Sequence, residues 1–378
     1  MKSPKKVQNT LTRLRTIREE KLTNRKYIRF GIGDFIGVPS IFTSHKHTHT
    51  QLQEELFGEI QCYAYLKMQA VTKAARNLFF HRQEVRTLCA SANIYQQITV
   101  NKVAGALGGE VEGIELHEPL TATLQADLKK ALNDHSVLVF RNQSLEPQSH
   151  MALAEVFGKI EAHPIVKGLP DYPNVLQIVK EPGAPTRFGE VWHSDNSYLE
   201  RPTSISILRS LEVPPYGNDT LLTSTYASYD TLSEGMKATL LKLTGVHSAK
   251  RAFSVEGHRK ENFNEKEGKM AYMVNEILTQ ETRHPVVCTH PDTGRPALYI
   301  NSMFTLRFDG WTEEESKPLL DFLFQHIARP EYSCRIVWAP GTVVMWDNQC
   351  TQHIALGDNW EHRRIMQRVT VQGPRPSQ

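Results

Sequence analysis

The chain has 378 residues, of which 40% are hydrophobic and 22% are charged, as in ordinary globular proteins. A net charge of +3 is too small to indicate nucleic-acid binding, and no apolar run reaches the roughly 18 residues that a membrane span needs. The five cysteines are scattered and odd in number, which indicates reduced thiols in a cytoplasmic protein and excludes a disulfide framework.

Residues 1–96 differ from the rest of the chain. Residues 1–30 hold ten Lys or Arg and two acidic residues, so a mitochondrial transit peptide stays open beside a cytoplasmic location. His45, His47 and His49 alternate, but no Cys or carboxylate stands at metal-site spacing, so we interpret them as a solvated loop. Because no clean apolar stripe repeats along the segment, we predict an N-terminal extension with little fixed structure and partial disorder.

From residue 97 to residue 378 the pattern becomes that of a folded domain. In its first half we predict strands and helices at these positions: strands at 98–100, 110–116, 137–140, 175–179 and 204–211, and helices at 120–132, 147–158 and 226–243. Gly245 is interpreted as the stop of the last helix. Residues 250–282 are charged and only weakly periodic, which is typical of a lid-like insertion.

The second half of this domain is mostly strand. We predict strands at 286–289, 297–301 and 364–371, and a hairpin of strands 334–338 and 342–346 around Pro340-Gly341. Thr312 and Glu315 form a capping box that opens a helix. Many short strands with flanking helices predict a mainly β fold, a double-stranded β-helix or jelly roll.

One pair of residues indicates a metal site. His193 and Asp195 form a His-x-Asp pair in a run rich in strand-forming residues, and residues two apart on a strand point to the same face. His353 is the candidate third ligand, which would complete the two-histidine, one-carboxylate set of non-haem Fe(II) oxygenases. Cys350 precedes His353 by three residues, and we interpret it as a small neighbour of the site.

The order and spacing of several motifs resemble the taurine dioxygenase (TauD/TfdA) family of Fe(II)- and 2-oxoglutarate-dependent enzymes. The motifs are Trp192-His193-Ser194-Asp195, Asn218-Asp219-Thr220-Leu221, Trp346-Asp347-Asn348, Thr351-Gln352-His353 and Arg363-Arg364-Ile365-Met366-Gln367-Arg368. The resemblance covers about residues 97–376 and does not cover 1–96. It implies a jelly roll that uses Fe²⁺, 2-oxoglutarate and O₂ to hydroxylate a small anionic substrate, with release of succinate and CO₂.

The resemblance also implies roles for individual side chains. They are iron ligands His193, Asp195 and His353, 2-oxoglutarate ligands Thr220 and Arg364, and substrate residues His163, Asn196, Phe304 and Arg368. Trp192 and Trp346 are interpreted as core aromatics that frame the site, and His284 and His290 as turn residues beside prolines.

Arg364 and Arg368 also have a physical interpretation. They are four residues apart on a predicted strand, so both face the same way. A buried guanidinium needs an anion, and its planar fork matches a carboxylate or a sulfonate. A dicarboxylate and an acidic substrate would supply two anions. Surface arginines paired with Asp347, Asp358 or Glu361 remain the alternative.

Three positions depart from the family pattern. Gly189 stands where some members have a polar amide, Asn196 replaces a small apolar residue of the taurine pocket, and Asn218 stands where glycine is usual. None of these positions is an implied iron ligand or the implied 2-oxoglutarate arginine. The departures therefore bear on taurine as the substrate rather than on the chemistry.

Two rival functions stay open. A zinc hydrolase could use the same two histidines and aspartate with a metal-bound water, but it gives Arg364 no purpose. A non-catalytic protein could bind 2-oxoglutarate as a sensor, but it would not need the complete ligand set. The expected partner is a small molecule, with no nucleic acid or membrane, and a homo-oligomer stays open.

Overall fold

The computed structural model describes residues 94–183, 189–253 and 276–378. The predicted extension therefore lies outside the described residues up to position 93, as does the predicted insertion between positions 254 and 275. The boundary of the extension stays a prediction. Within the described ranges, no helix is long and apolar enough to cross a bilayer.

The described chain is mainly β-structure. Its strands are β1 (Thr99–Lys102), β2 (Gly109–Glu112), β3 (Val137–Phe140), β4 (Ile160–Glu161), β5 (Leu176–Lys180), β6 (Thr203–Glu212), β7 (Thr220–Ser224), β8 (Thr244–Ser248), β9 (Glu281–Pro285), β10 (Val287–Thr289), β11 (Pro296–Leu298), β12 (Thr305–Phe308), β13 (Ser333–Ile336), β14 (Val343–Asp347), β15 (Thr351–Ala355) and β16 (Arg364–Gln372). Its helices are α1 (Ala122–His135), α2 (Pro147–Glu155), α3 (Thr225–Asp230), α4 (Glu234–Leu240), α5 (Lys250–Phe253) and α6 (Glu313–Ile327).

Strand pairing gives the jelly-roll architecture that the sequence predicts. An eight-stranded sheet runs in the order β1-β2-β3-β14-β6-β16-β4, with β5 paired to β16. A three-stranded sheet has the order β13-β7-β15, and smaller sheets join β12-β8-β9 and β10-β11. All these pairings are antiparallel except β2 with β3.

Alternation along the strands places one core on each face of the large sheet. Val137 and Val139 of β3 pack with Leu222 of the three-stranded sheet, so these side chains fill the space between the two sheets. Leu138 and Phe140 point the other way and pack in a cluster with residues of α1 and α2. The large sheet is therefore covered by helices on one side and faces the second sheet on the other, which is where the site lies.

Two local predictions are wrong. The helix predicted over 226–243 is two helices, because the Ser233 side chain accepts the Met236 N–H and starts α4 as a new helix. Gly245, predicted as a helix stop, lies inside β8 and pairs with His284 of β9. Tertiary strand pairing overrides the local stop signal that glycine usually gives.

The predicted hairpin of 334–338 and 342–346 is also wrong. Both strands exist, but β13 pairs with β7 whereas β14 pairs with β3 and β6. The turn at Gly341 (φ 74°) thus carries the chain from one sheet to the other. A Cβ atom there would lie 2.9 Å from the Gln143 carbonyl oxygen, so the crossing needs glycine.

Candidate active site

The two histidines of the predicted triad lie on neighbouring backbone segments that are bonded to each other. His353 lies on β15 and forms an isolated antiparallel bridge with His193. The His353 amide donates to the His193 carbonyl at 2.8 Å, and the His193 amide donates to the His353 carbonyl at 3.1 Å. These backbone bonds fix the separation of two side chains that are 160 positions apart in the sequence.

The prediction that one strand carries both His193 and Asp195 is wrong. His193 lies in a single-residue bridge, and a turn begins at Asp195, where Asn196 adopts a left-handed conformation (φ 54°). The Ser194 hydroxyl donates to the Thr351 carbonyl at 2.8 Å and ties the segment to β15. The bridge and turn bring the imidazole and the carboxylate together without a continuous strand.

The three side chains form a compact set of potential ligands. Their ligand atoms all lie within 4.8 Å of one another, and all three residues are buried. Asp195 Oδ1 is 3.8 Å from His193 Nε2, and Asp195 Oδ2 is 3.9 Å from His353 Nε2. His193 Nδ1 lies 2.7 Å from the Val191 carbonyl, which fixes the proton on Nδ1 and leaves the Nε2 lone pair for a metal.

The charges at this centre suit a cation. Burial by itself raises the pKa of Asp195, but opposing interactions, of which the Arg368 guanidinium gives the largest, keep the pKa below its ordinary value. Burial, with a further contribution from His193, holds the pKa of His353 well below its ordinary value, so the imidazole is neutral. An ionised carboxylate and two neutral imidazoles are the donor set of a divalent transition metal.

Arg364, at the start of the strand that also carries Arg368, has no counter-ion among the described residues. It is 9% exposed, its Nε atom has no hydrogen-bond partner, and no carboxylate forms an ion pair with it among the described residues. Burial lowers its pKa to about 10, and Asp219 opposes the shift, so the guanidinium stays charged at neutral pH. An unpaired buried cation is costly, and the site is therefore suited to an anion.

Trp338 lies close to both Thr220 and Arg364. The Trp338 indole N–H donates to Thr220 Oγ at 3.0 Å, so the threonine hydroxyl keeps its own proton for another acceptor. The Trp338 ring centre lies 5.8 Å from Arg364 Cζ. The sequence interpretation passed over Trp338, although an aromatic residue beside an inward arginine is a recurrent arrangement.

A pocket that is partly open to solvent lies next to the triad. It is lined by His163, Gly189, His193, Asp195, Asn196, Phe253, Met303, Phe304 and Arg368. The residues predicted to bind substrate thus lie around one cavity. Arg368 donates through Nη1 to Asp195 Oδ1 at 2.5 Å, a contact that the sequence analysis did not anticipate.

The polar side chains of this pocket differ in whether they have a hydrogen-bonding group left for a ligand. Both amide atoms of Asn196 are occupied, since Nδ2 donates to Thr203 Oγ and Oδ1 accepts from the Tyr198 hydroxyl, each at 3.0 Å. His163 Nδ1 accepts two backbone N–H groups at 3.1 and 3.0 Å, so its remaining proton is on Nε2. Burial, reinforced by Arg368, lowers the pKa of His163 to about 3, so this imidazole is a neutral donor.

A second cluster of possible metal ligands, formed by His290, Asp347 and Cys350, has a structural role. His290 Nε2 donates to Asp347 Oδ2 at 2.8 Å, and His290 Nδ1 accepts the Asp292 and Thr293 N–H groups at 3.2 Å. Neither nitrogen has a lone pair left for a metal. Cys350 belongs to this group and not to the triad, consistent with its interpretation as a neighbour. The prediction that His284 is a turn residue is wrong, because it lies inside β9. His290 does open a turn, since its carbonyl accepts the Gly294 N–H.

Comparison with known proteins decides the family. The Taurine catabolism dioxygenase TauD, TfdA family profile matches residues 99–370. The chain belongs to this family. An alkylsulfatase of Acinetobacter baylyi is 33% identical over 282 residues, covering 74% of this chain and 87% of that protein. An alpha-ketoglutarate-dependent sulfate ester dioxygenase of Pseudomonas putida is 34% identical over 291 residues, covering 74% of this chain and 91% of that protein.

Solved structures agree with this membership. A taurine dioxygenase from Burkholderia xenovorans is 31% identical, and it superposes with a TM-score of 0.62 over 74% of this chain and 91% of that one. The TauD/TfdA-family protein described here is therefore a 2-oxoglutarate-dependent dioxygenase, an oxidoreductase with a jelly-roll core and a buried His-Asp-His metal site.

Proposed function

We propose that this TauD/TfdA-family enzyme uses iron(II) in the His193–Asp195–His353 triad to hydroxylate a small organic anion with an apolar body. The observation that carries the proposal is the three-ligand centre together with the buried Arg364, which pairs with no carboxylate of the described residues. A triad alone would suit several metals, but a buried cation that lacks a counter-ion within the described ranges calls for a co-substrate with a free carboxylate.

The ligand set fits iron(II). Two imidazole nitrogens and one carboxylate on one side of a metal leave the opposite positions open, which is the geometry of non-haem Fe(II) oxygenases. Iron(II), when bound there, supplies the O₂ activation that couples oxidative decarboxylation of 2-oxoglutarate to substrate hydroxylation. The protein orients both organic partners and excludes water, since all three ligands are buried.

2-Oxoglutarate is proposed to place its distal carboxylate against Arg364 and Thr220. The guanidinium offers a charged fork, and the Thr220 hydroxyl has a proton to donate because its oxygen already accepts from Trp338. The same contacts give a purpose to the unpartnered Nε of Arg364. A dicarboxylate long enough to reach the metal with its other end satisfies both sites at once.

The substrate anion is proposed to bind Arg368 and His163. Arg368 Nε is buried and has no hydrogen-bond partner among the described residues, and His163 presents a neutral Nε2–H beside it. Arg364, Arg368 and Asp195 together carry one positive charge, and a divalent metal adds two. A doubly charged 2-oxoglutarate and a singly charged sulfonate or sulfate ester neutralise the loaded site.

The apolar wall of the pocket favours substrates without a cationic group. Phe253, Met303 and Phe304 line it, and Asp195 is its sole acid among the described lining residues. An ammonium group there would lose its hydration without gaining a carboxylate partner. We therefore expect kcat/KM for a linear alkyl sulfate or alkylsulfonate to exceed that for taurine by about tenfold or more. Succinate release with the two substrate types measures this ratio, and a preference for taurine would contradict the assignment.

His163 provides a cleaner test of the anion site than Arg368, which also bonds the triad. His163→Ala removes a neutral donor to a charged group, worth ~1.5–3 kcal/mol, so the substrate KM should rise about 10- to 100-fold. The KM for 2-oxoglutarate, measured in the same variant, should stay near the wild-type value. Equal increases in both KM values would show that His163 supports the site as a whole and does not contact the substrate.

Hydroxylation of the carbon that bears the sulfate or sulfonate group is followed by fragmentation of the product. A carbon that bears both a hydroxyl and a sulfate or sulfonate group is unstable, and it fragments to a carbonyl compound and the inorganic anion. We expect an alkyl sulfate to yield sulfate and an aldehyde in equal amounts with succinate. Detection of the three products together tests the proposed function, whereas succinate without sulfate would show that 2-oxoglutarate turnover is not coupled to oxidation of the sulfate-bearing carbon.

A further inference from the structure

The carboxylate of Asp195 is held by a closed ring of hydrogen bonds. The Ser206 hydroxyl donates to Asp195 Oδ2 at 2.6 Å and accepts from Asn348 Nδ2 at 2.9 Å. Asn348 Oδ1 in turn accepts the backbone N–H of Asp195 at 3.0 Å. The exposed fractions of the three residues are 0%, 1% and 4% for Ser206, Asn348 and Asp195, so water does not compete for these bonds.

Two members of the ring, Ser206 and Asn348, are held by the large sheet. Ser206 lies on β6 and pairs with Trp346 of β14, two residues before Asn348. The backbone N–H of Asn348 donates to the Ser204 carbonyl at 2.7 Å. The side-chain Oδ1 of Asn348 also accepts the Trp346 indole N–H at 3.1 Å. Through the ring, the paired strands β6 and β14 hold the Asp195 side chain in place, although Asp195 itself lies in a turn.

The ring opposes the pull of Arg368 on the same carboxylate. Arg368 holds Oδ1 and Ser206 holds Oδ2, so each oxygen accepts one hydrogen bond and keeps one lone pair. Without Ser206, a single charged contact would remain on the side chain, and the carboxylate could turn toward the arginine and away from the histidines. With both contacts its plane is fixed.

We propose that Ser206 and Asn348 are positioning residues that fix the orientation of Asp195 for metal binding. The inference rests on the proposed role of Asp195 as a metal ligand. Partners that orient a ligand typically contribute 10- to 100-fold to metal affinity. Ser206→Ala should therefore weaken Mn(II) binding to the metal-free full-length protein by about tenfold or more, as measured by titration calorimetry.

Ser210 supplies a matched control. It lies on the same strand, is 3% exposed, and its hydroxyl donates to the Ala339 carbonyl at 2.6 Å and accepts the Thr342 N–H at 3.0 Å. Ser210→Ala removes an equally buried and bonded hydroxyl away from the triad. We expect Mn(II) affinity close to wild type in this variant. With Co(II) as probe, we expect a changed visible absorption spectrum in Ser206→Ala alone.

Asp195→Ala separates failure of this inference from failure of the proposed function. If Asp195→Ala abolishes Mn(II) binding while Ser206→Ala stays within about twofold of wild type, Asp195 is a ligand that needs no ring, and the inference is overturned. Equal losses in Ser206→Ala and Ser210→Ala would also overturn it, because they would indicate general loosening of the sheet. Unchanged binding in Asp195→Ala would instead refute the metal site itself.

Discussion

Replacing His193, Asp195 or His353 by alanine is expected to abolish turnover, with kcat/KM falling at least about a thousandfold, or ~4 kcal/mol of transition-state stabilisation. Each change removes one of three ligand atoms from a centre where all three lie within 4.8 Å of one another. With two protein ligands left, the cation is neither held tightly nor directed toward the open side.

Metal content and stability separate this effect from misfolding. Each triad variant should bind less than one tenth of the wild-type amount of Mn(II) while its circular dichroism spectrum stays that of the wild type. His284→Gln is a suitable control, because His284 is also fully buried but bonds the Leu199 carbonyl through Nε2, away from the triad. It should retain metal binding. Substantial turnover in both His193→Ala and His353→Ala would refute the triad.

Arg364→Ala should raise the KM for 2-oxoglutarate by about 30- to 1000-fold, since a lost charge-assisted bidentate contact costs ~2–4 kcal/mol. The guanidinium is buried and pairs with no carboxylate of the described residues, so we expect a bound ligand to supply its counter-charge. Arg364→Lys should be intermediate, because an ammonium keeps the charge but not the fork. Steady-state kinetics with 2-oxoglutarate varied at saturating alkyl sulfate measures the change.

The neighbouring Arg363 is the matched control for this experiment. It is exposed, and its guanidinium pairs with Glu181 at 3.1 Å and Glu212 at 3.3 Å. Because an exposed ion pair contributes little, Arg363→Ala should change the KM for 2-oxoglutarate by less than about threefold. Similar effects in the two variants would mean that positive charge near the site matters and that Arg364 has no specific contact with the co-substrate.

Part of the residue cluster could be predicted because some of its signals are local in sequence. His193 and Asp195 stand two residues apart, and Arg364 and Arg368 lie on one strand with the predicted period. The buried strand Val137–Phe140 was predicted with its observed bounds, since a short apolar run rich in β-branched and aromatic residues favours a buried strand. The fold class followed from many such strands with few long helices.

Long-range contacts decided what the sequence could not show. The bridge between His193 and His353 replaces the predicted strand through Asp195, and no local pattern encodes a partner 160 positions away. By its sequence context alone, Gly245 indicates the end of a helix. It lies in a strand instead, because β9 and β12 pair with β8 on its two sides. Local propensity is a weak guide wherever a neighbouring strand supplies the hydrogen bonds.

The residues that bond to Asp195 could not be predicted from local sequence patterns either. Asn348 stands in a motif that carried the family resemblance, but its bonds to Asp195 and Ser206 become visible only when β6 and β14 are paired. One local signal existed in β6, where Ser204, Ser206 and Ser210 place hydroxyls on one face of a mostly buried strand. Serines on the inward face of a core strand indicate a polar group to be bonded.

The measurement that tests the central claim most directly is succinate formation from 2-oxoglutarate with Fe(II) or Zn(II) in the metal-free protein, with an alkyl sulfate present under air. Oxidative decarboxylation needs a redox-active metal, whereas sulfate-ester hydrolysis by a metal-bound water does not. The proposed function predicts succinate and sulfate in equal amounts with Fe(II), neither product with Zn(II), and loss of both in His193→Ala. Sulfate release with Zn(II) and without 2-oxoglutarate would contradict it.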